Sequence, residues 1–354
     1  MATIPPSSSR SAVCTVSIID TTGRILGAPS HAFLTPPIAG HDTLTTPVFS
    51  FLITHAPTST TLLFDLGIRP DWHNLSGALL SHIASAPWQA ELHVPSSVPD
   101  LLAAHGIPLS SINAIIWSHH HLDHIGDPSL FPATTKLVVG PGAKAVLLPG
   151  FPTGPDSPIL ETDYAGREMV EVEFDDSGLE IAGLRAHDYF GDGALYLLDA
   201  PGHARGHLCA LARVADGDRF VLMAGDAFRH GGELRPSELV PLPERIEPSP
   251  LAAPGGCGCR MFRGLLRGGD VTRAFYEACG VWNEDVAEAR RTVGRLQMLD
   301  GDPRVLVMAA HDGTLVGAVG FFPGRVEVVG GRDPWRGEGR WAFLKDFEGA
   351  VDRE

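Results

Sequence analysis

The sequence is poor in the features that mark several large protein classes. Basic residues are outnumbered: 27 Lys and Arg stand against 42 Asp and Glu in 354 residues, a formal charge of 27 − 42 = −15, and no Lys/Arg run occurs. Phosphate neutralisation needs the opposite balance, which argues against nucleic acid and against an anionic membrane as partners. A small molecule is the expected ligand. Cysteine is scarce and odd in number, five residues at 14, 209, 257, 259 and 279, which suits reduced thiols better than a disulfide framework. Long apolar runs are missing, and none approaches the roughly eighteen residues of a membrane span. Residues 1–12 are polar and Ser/Pro-rich without the apolar core of a secretory signal, and are expected to be a flexible segment. The expectation is a soluble, cytoplasmic protein. At 44% apolar and 19% charged residues the chain can bury a substantial core, unlike a disordered segment. Histidine is in excess, with 16 residues, some of them clustered.

Short apolar, β-rich runs recur and end in Gly, Pro, Asp or His. They are Val13–Ile19, Val48–Thr54, Thr61–Phe64, Ala114–Ser118, Lys136–Val139, Leu195–Leu198, Phe220–Ala224, Arg304–Ala309 and Leu315–Phe321. Helices are expected at Pro99–His105, with Gly106 as a stop, and at Glu284–Leu299, where Asn283 is a plausible N-cap and Val286, Ala289, Val293 and Leu296 form an apolar stripe. This mixture indicates an α/β sandwich, read as one domain over 13–354. Two Pro/Gly-rich loops interrupt it, near 149–166 and 235–270. The second is expected to fold over the site as a lid.

The chemistry concentrates after the run Ala114-Ile115-Ile116-Trp117, where Ser118-His119-His120-His121-Leu122-Asp123-His124 follows at once. If this segment is extended, alternate residues face the same way and His119 and His121 can converge, with His120 on the other face and non-ligating. Three further apolar runs end in ligand-type residues: Leu195–Leu198 leads to Asp199-Ala200-Pro201-Gly202-His203, Phe220–Ala224 to Gly225-Asp226, and Val305–Ala310 to His311-Asp312. Ligands at several strand ends on one rim of a sheet make a convergent site.

The H-x-H-x-D-H run, Pro201-Gly202-His203-x-x-Gly206-His207, Gly225-Asp226 and the late His311 occur in the order of the metallo-β-lactamase fold superfamily, which the chain resembles over roughly residues 13–325. The resemblance implies a four-layer αβ/βα sandwich. It further implies that His119, His121 and His203 hold one metal, that Asp123, His124 and His311 hold a second, and that Asp226 bridges both. Imidazoles and carboxylates suit zinc, so two divalent ions, most simply Zn, are expected as cofactors, with iron or manganese the alternative at the carboxylate-richer position. No cysteine occupies a ligand position, unlike the zinc β-lactamases with a Cys ligand.

Two divalent ions together supply hydroxide at neutral pH and polarise a carbonyl, which makes hydrolysis the implied reaction, with Asp123 and Asp226 catalytic. The complete ligand set resembles N-acyl homoserine lactonases and related fungal metallo-hydrolases. The expected function is therefore opening of a lactone or lactam ring in a small secondary metabolite through a metal-bridging hydroxide. The alternative is an acyl-thioesterase of the glyoxalase II or polyketide-releasing type. The bacterial lactonases carry a Tyr shortly after the bridging Asp; here Ala227-Phe228-Arg229-His230 follows, so Arg229 or His230 is the candidate substrate contact. Asp65 is expected to brace the site, His207 to stabilise its loop, and Cys257-Gly258-Cys259 to be loop rather than a zinc site. Trp72, Phe228, Phe262 and Trp282 are candidate pocket walls, with core packing the default for each.

Overall fold

The computed structural model describes residues 4–5, 12–85, 90–174, 178–214, 219–247, 249–251, 257–258, 260–280, 282–316, 319–326 and 338–351. Most of the 1–12 segment and Cys259 therefore lie outside the described residues.

Two sheets dominate. The first comprises β1 (Cys14–Pro29), β2 (Thr43–His55), β3 (Thr60–Phe64), β4 (Glu91–His93), β5 (Ile112–Ile116), β6 (Lys136–Val139) and β7 (Met169–Glu171), in the order β4-β1-β2-β3-β5-β6-β7. Pairing is antiparallel from β4 to β3 and parallel from β3 to β7. The second comprises β8 (Glu180–Ile181), β9 (Leu184–Asp188), β10 (Leu195–Asp199), β11 (Leu208–Val214), β12 (Arg219–Met223) and β13 (Val305–Met308), in the order β13-β12-β11-β10-β9-β8. Only the β12–β13 pair in it is parallel. The helices used below are α1 (Gly77–Ser85), α2 (Val98–Ala104), α3 (Leu122–Ile125), α4 (Gly231–Leu234) and α5 (Val286–Asp300).

Side-chain alternation explains the layering. Leu62 and Phe64, Ala114 and Ile116, and Val138 point from the first sheet to a core shared with Leu195, Leu197, Val221, Met223, Leu306 and Met308 of the second. Their neighbours Leu63, Ile115, Leu137 and Val139 point the other way, to a layer that includes Leu79 of α1 and Val98 and Leu102 of α2. Tyr196, Leu198, Phe220, Leu222, Val305 and Val307 pack on Val293, Leu296 and Leu299 of α5. Strands buried on both faces read as continuous apolar runs, which is why the sequence shows them so plainly. The result is the expected αβ/βα sandwich.

Local chemistry sets several element ends differently from expectation. The N-cap of α5 is Asp285, whose side chain accepts from Glu288 N at 2.9 Å, and not Asn283. Asn283 turns instead to His203, with Oδ1 3.2 Å from its Nδ1. Ser97 caps α2 in a reciprocal pair with Asp100, and Gly106 at φ 72° ends it. The expected strand Leu315–Phe321 is not one. Its described part is a 3-10 turn over Gly313–Leu315 followed by isolated bridges at Val316, Val319 and Phe321. Conversely, β11 was not expected, because Ala210, Ala212 and Arg213 weaken its β signal. Small side chains at Ala210 and Ala212 face the other sheet and are fully buried.

Candidate metal centre

The ends of β3, β5, β10, β12 and β13 deliver the site. Asp65 follows β3, His119 to His124 follow β5, His203 follows β10, Asp226 follows β12 and His311 follows β13. Strands β10, β12 and β13 run in one direction, so their carboxyl ends share an edge. Two glycines let the chain turn there. Gly202 has φ 118°, and a Cβ on it would lie 2.1 Å from Ala289 N of α5; Gly225 has φ 53°, and its Cβ would press on Ser118 and His207 at 2.9 Å.

The histidine segment is not simply extended. It is irregular as far as His121, and Leu122–Ile125 then forms the helical turn α3. That turn, rather than alternation, brings adjacent Asp123 and His124 to the same place. His120 lies in neither ligand group.

Two clusters result, each with ligand atoms within 4.8 Å of one another: His119, His121, His203 and Asp226, and Asp123, His124, His311 and Asp226. In the first, His203 Nε2 lies 3.0 Å from both His119 Nε2 and His121 Nδ1, and 3.6 Å from Asp226 Oδ2. In the second, Asp226 Oδ1 lies 3.2 Å from His124 Nε2 and 3.1 Å from His311 Nε2, while Asp123 Oδ2 is 3.2 Å from His311 Nε2. Asp226 thus turns one oxygen to each cluster. All seven side chains are brought together, and all but the half-buried His121 are buried.

The outer nitrogen of each imidazole reports which way its ring is protonated. His124 Nδ1 donates to Asp65 Oδ2 at 2.8 Å, and His311 Nδ1 to the carbonyl of Pro47 at 2.9 Å. Ser118 Oγ donates to Asp65 Oδ2 at 2.8 Å, which leaves its lone pair to accept from His119 Nδ1 at 3.0 Å. Asn283 Nδ2 donates to Cys279 O at 3.0 Å, fixing the amide so that Oδ1 accepts from His203 Nδ1 at 3.2 Å. Arg229 Nη2, which can only donate, lies 3.1 Å from the same nitrogen, so the two contacts call for opposite tautomers of His203. With an outer Nδ1–H engaged in this way, a neutral ring at His119, His124 or His311 offers its Nε2 lone pair inward. His124 Nε2 and Asp226 Oδ1 are buried and, though 3.2 Å apart, not aligned as a hydrogen bond, a costly arrangement unless a cation fills the gap. The donor set fits divalent metal binding, with outer hydrogen bonds of the kind that orient metal-ligating histidines.

Electrostatics agree. Burial holds His119 and His203 well below the ordinary histidine range, reinforced at His119 by neighbouring imidazoles and at His203 by the Arg229 guanidinium and then His121, and burial pulls His121 down to about 3. These rings stay neutral, as ligands must. Burial opposes charging His311 too, yet the Asp226 and Asp123 carboxylates raise it to about 10. His124 is raised likewise by Asp226, Asp123 and Asp65 against its burial. Those two protons occupy the place of a cation between two buried carboxylates.

Sequence reasoning placed Asp65 as a brace, and its carboxylate accepts from Ser118 N, Ser118 Oγ and His124 Nδ1. His207 Nε2 accepts from Asp226 N at 3.1 Å and so pins the bridging residue's backbone. Asn283 and Ser118 were missed as orienting groups, because a lone Asn or Ser carries no distinctive spacing. Beside the clusters opens an apolar cavity of about 50 Å³. Phe33 and Trp282, stacked at 5.8 Å between centroids, line it together with Leu79, Ile83 and Arg229. Of the candidate walls, only Trp282 serves; Phe228 and Phe262 are core and Trp72 packs against core. Phe33 was not foreseen. Arg229 reaches this cavity, whereas His230 lines a neighbouring polar one. Both are held by Glu233, whose Oε2 accepts from Arg229 N at 2.7 Å and His230 N at 3.2 Å. Among the described residues of 235–270 none lines the apolar cavity, and Val240, Leu242 and Phe262 of that stretch pack into the core; the part of the expected lid at 252–256 lies outside the described residues.

Comparison with known proteins extends these observations. The chain is 38% identical over 345 residues to a protein named gamma-lactamase FDB1 from Fusarium pseudograminearum, covering 94% of this chain and 82% of that one. It is 40% identical over 341 residues to metallo-hydrolase mfmC of Annulohypoxylon moriforme, covering 95% and 88%. A solved quorum-quenching N-acyl homoserine lactone lactonase superposes with TM-score 0.56 at 16% identity over 89% of this chain and 99% of that one, a likeness of fold. The family model described as the metallo-beta-lactamase superfamily matches residues 43–311. The chain belongs to the metallo-β-lactamase superfamily and is a metal-dependent hydrolase.

Proposed function

We propose that the protein is a dinuclear zinc hydrolase that opens a γ-lactam or γ-lactone ring of a small, largely apolar metabolite. The observation that carries this reading is Asp226, buried between two histidine clusters with one carboxylate oxygen facing each. His119, His121 and His203 would hold one ion; Asp123, His124 and His311 the other. A bound pair of divalent ions supplies hydroxide at neutral pH and polarises the substrate carbonyl. The chain's residues do the rest. Phe33, Leu79, Ile83 and Trp282 exclude water and hold the apolar body of the ring. Arg229, 3.6 Å from Asp226 Oδ2 and with its guanidinium 5.2 Å from the Phe33 ring, binds the carbonyl and then the product carboxylate. That is the role of the missing Tyr. Asp123, 3.2 Å from His311, takes up the proton released as the attacking water adds to the carbonyl and passes it to the leaving nitrogen or oxygen.

The γ-lactam leads because of the named gamma-lactamase relative. Among the described residues no helix is long and apolar enough to cross a membrane. The ligands come from both sheets, which supports reading 13–354 as one domain. The test is turnover of γ-lactams, γ-lactones and acyl-thioesters by zinc-loaded protein at one pH. Lactam or lactone opening is expected. Thioester cleavage alone would replace this reading with the thioesterase.

A further inference from the structure

A third group of ligand-type residues lies outside the metal centre: His41, His230 and Asp346, with ligand atoms within 4.8 Å of one another. It faces a polar cavity of about 290 Å³ that meets the apolar one at Leu44, Thr46, Arg229 and His311. Composition suggests another metal site, but the hydrogen bonds oppose it. His230 Nδ1 accepts from Gly232 N at 3.0 Å, where the ring caps α4. With Nδ1 accepting, the neutral ring carries its proton on Nε2, which then has no lone pair for a cation. His230 is only 6% exposed, and its Nε2 is buried without a hydrogen-bond partner, 3.4 Å from Asp346 Oδ2. His41 Nδ1 is already engaged by Tyr276 Oη at 2.6 Å.

A buried N–H whose nearest acceptor, Asp346 Oδ2 at 3.4 Å, is not aligned for a hydrogen bond, beside a carboxylate that can only accept, matches a group that both accepts and donates. Charge narrows the choice. Arg229 and Lys345 on this cavity are matched by Asp312 and Asp346, so it does not favour an anion or a cation. We propose that this polar cavity is a second substrate subsite, which recognises a hydroxyl substituent through His230 Nε2–H and Asp346 Oδ2. The proposal rests on the ring-opening reading above. The substrate then spans both cavities, with its ring at the metals and its apolar body against Trp282. Its hydroxyl reaches past Arg229.

Matched probes test this: γ-phenyl-γ-butyrolactone, its 3-hydroxyphenyl analogue and its 3-carboxyphenyl analogue, with the corresponding γ-lactams, each assayed for kcat/KM. The ring-opened acids are assayed separately for Kd by thermal shift. The hydroxyl compound is expected to exceed the parent by about tenfold in kcat/KM and in the affinity of its opened acid, the worth of one or two buried hydrogen bonds. In Asp346→Ala and in His230→Phe that ratio falls towards one, read as a ratio within each variant so that partial loss of folded protein does not mimic it. Equal rates and affinities for hydroxyl and parent, a preference for the carboxylate, or an advantage that survives both substitutions overturns the subsite. A hydroxyl preference in binding with no turnover of any ring would keep the subsite and overturn the lactam or lactone reading. Neither turnover nor binding of any probe contradicts both.

Discussion

The metal centre and the His41–His230–Asp346 group are built from the same residue types at the same spacing of ligand atoms. They differ in what lies behind the rings. At the centre, Asp65, Ser118, Asn283 and the carbonyl of Pro47 stand behind the outer nitrogen of four of the five rings, all but His121. A neutral ring then offers its inner nitrogen to a cation. In the other group, the backbone N–H of Gly232 takes the outer lone pair of His230, so the inner nitrogen carries a proton. Whether a histidine cluster is a metal site or a hydrogen-bond donor is decided one shell further out than composition reaches.

The largest expected break in that comparison is Asp226→Ala. It removes the one carboxylate shared by both clusters, so zinc measured by mass spectrometry should fall well below two per chain and ring-opening activity by roughly 10³-fold or more. Next are the orienting residues. Asp65→Asn keeps a side chain that tolerates the φ of 62° at this position but loses the charged acceptor for His124. It should weaken zinc binding about 10- to 100-fold, and Asn283→Leu by about tenfold through His203, both read by chelator competition. Asp346→Ala should leave zinc content at the wild-type value; a loss there would make the polar group a metal site and undo the contrast.

The smallest effect is in pH. Burial, aided by His230 and opposed by Asp346 and Asp42, depresses His41 from 6.5 to about 4, with the Tyr276 hydroxyl on its Nδ1. The folded state thus favours the neutral ring. Its contribution is fully present above pH 6.5 and is lost as pH falls from 6.5 towards 4. The Tm difference between wild type and His41→Asn should be flat above pH 7 and shift against the wild type across that window. A parallel pair of Tm curves would contradict the depressed value. Metal loss in acid affects both proteins and cancels in the difference.

Much of the fold was legible because most strands are buried on both faces, so Ala114–Ile116, Leu195–Leu198 and Val305–Met308 announce themselves as unbroken apolar runs. Strand β11 escaped because its inward face needs alanines rather than large β-formers, and Leu315–Phe321 misled because apolar residues there bury without pairing. The seven ligand-type residues were legible because each follows an apolar run or sits in a dense motif. The shell behind them was not. Asp65 stood out only by ending a strand, while Ser118 and Asn283 are ordinary residues made important by distant contacts, one of them 80 positions along the chain from the ring it orients. The misplaced cap shows the same limit: Asn283 has the right chemistry for a helix start, but Asp285 takes that role and Asn283 turns to His203.

The most direct measurement is a zinc titration of metal-free protein, with γ-lactam or γ-lactone opening followed on the same samples. The account predicts no activity without metal, and binding that saturates at two ions per chain with activity rising to its maximum at that point. Saturation at one ion, or full activity in protein stripped of metal, would contradict it.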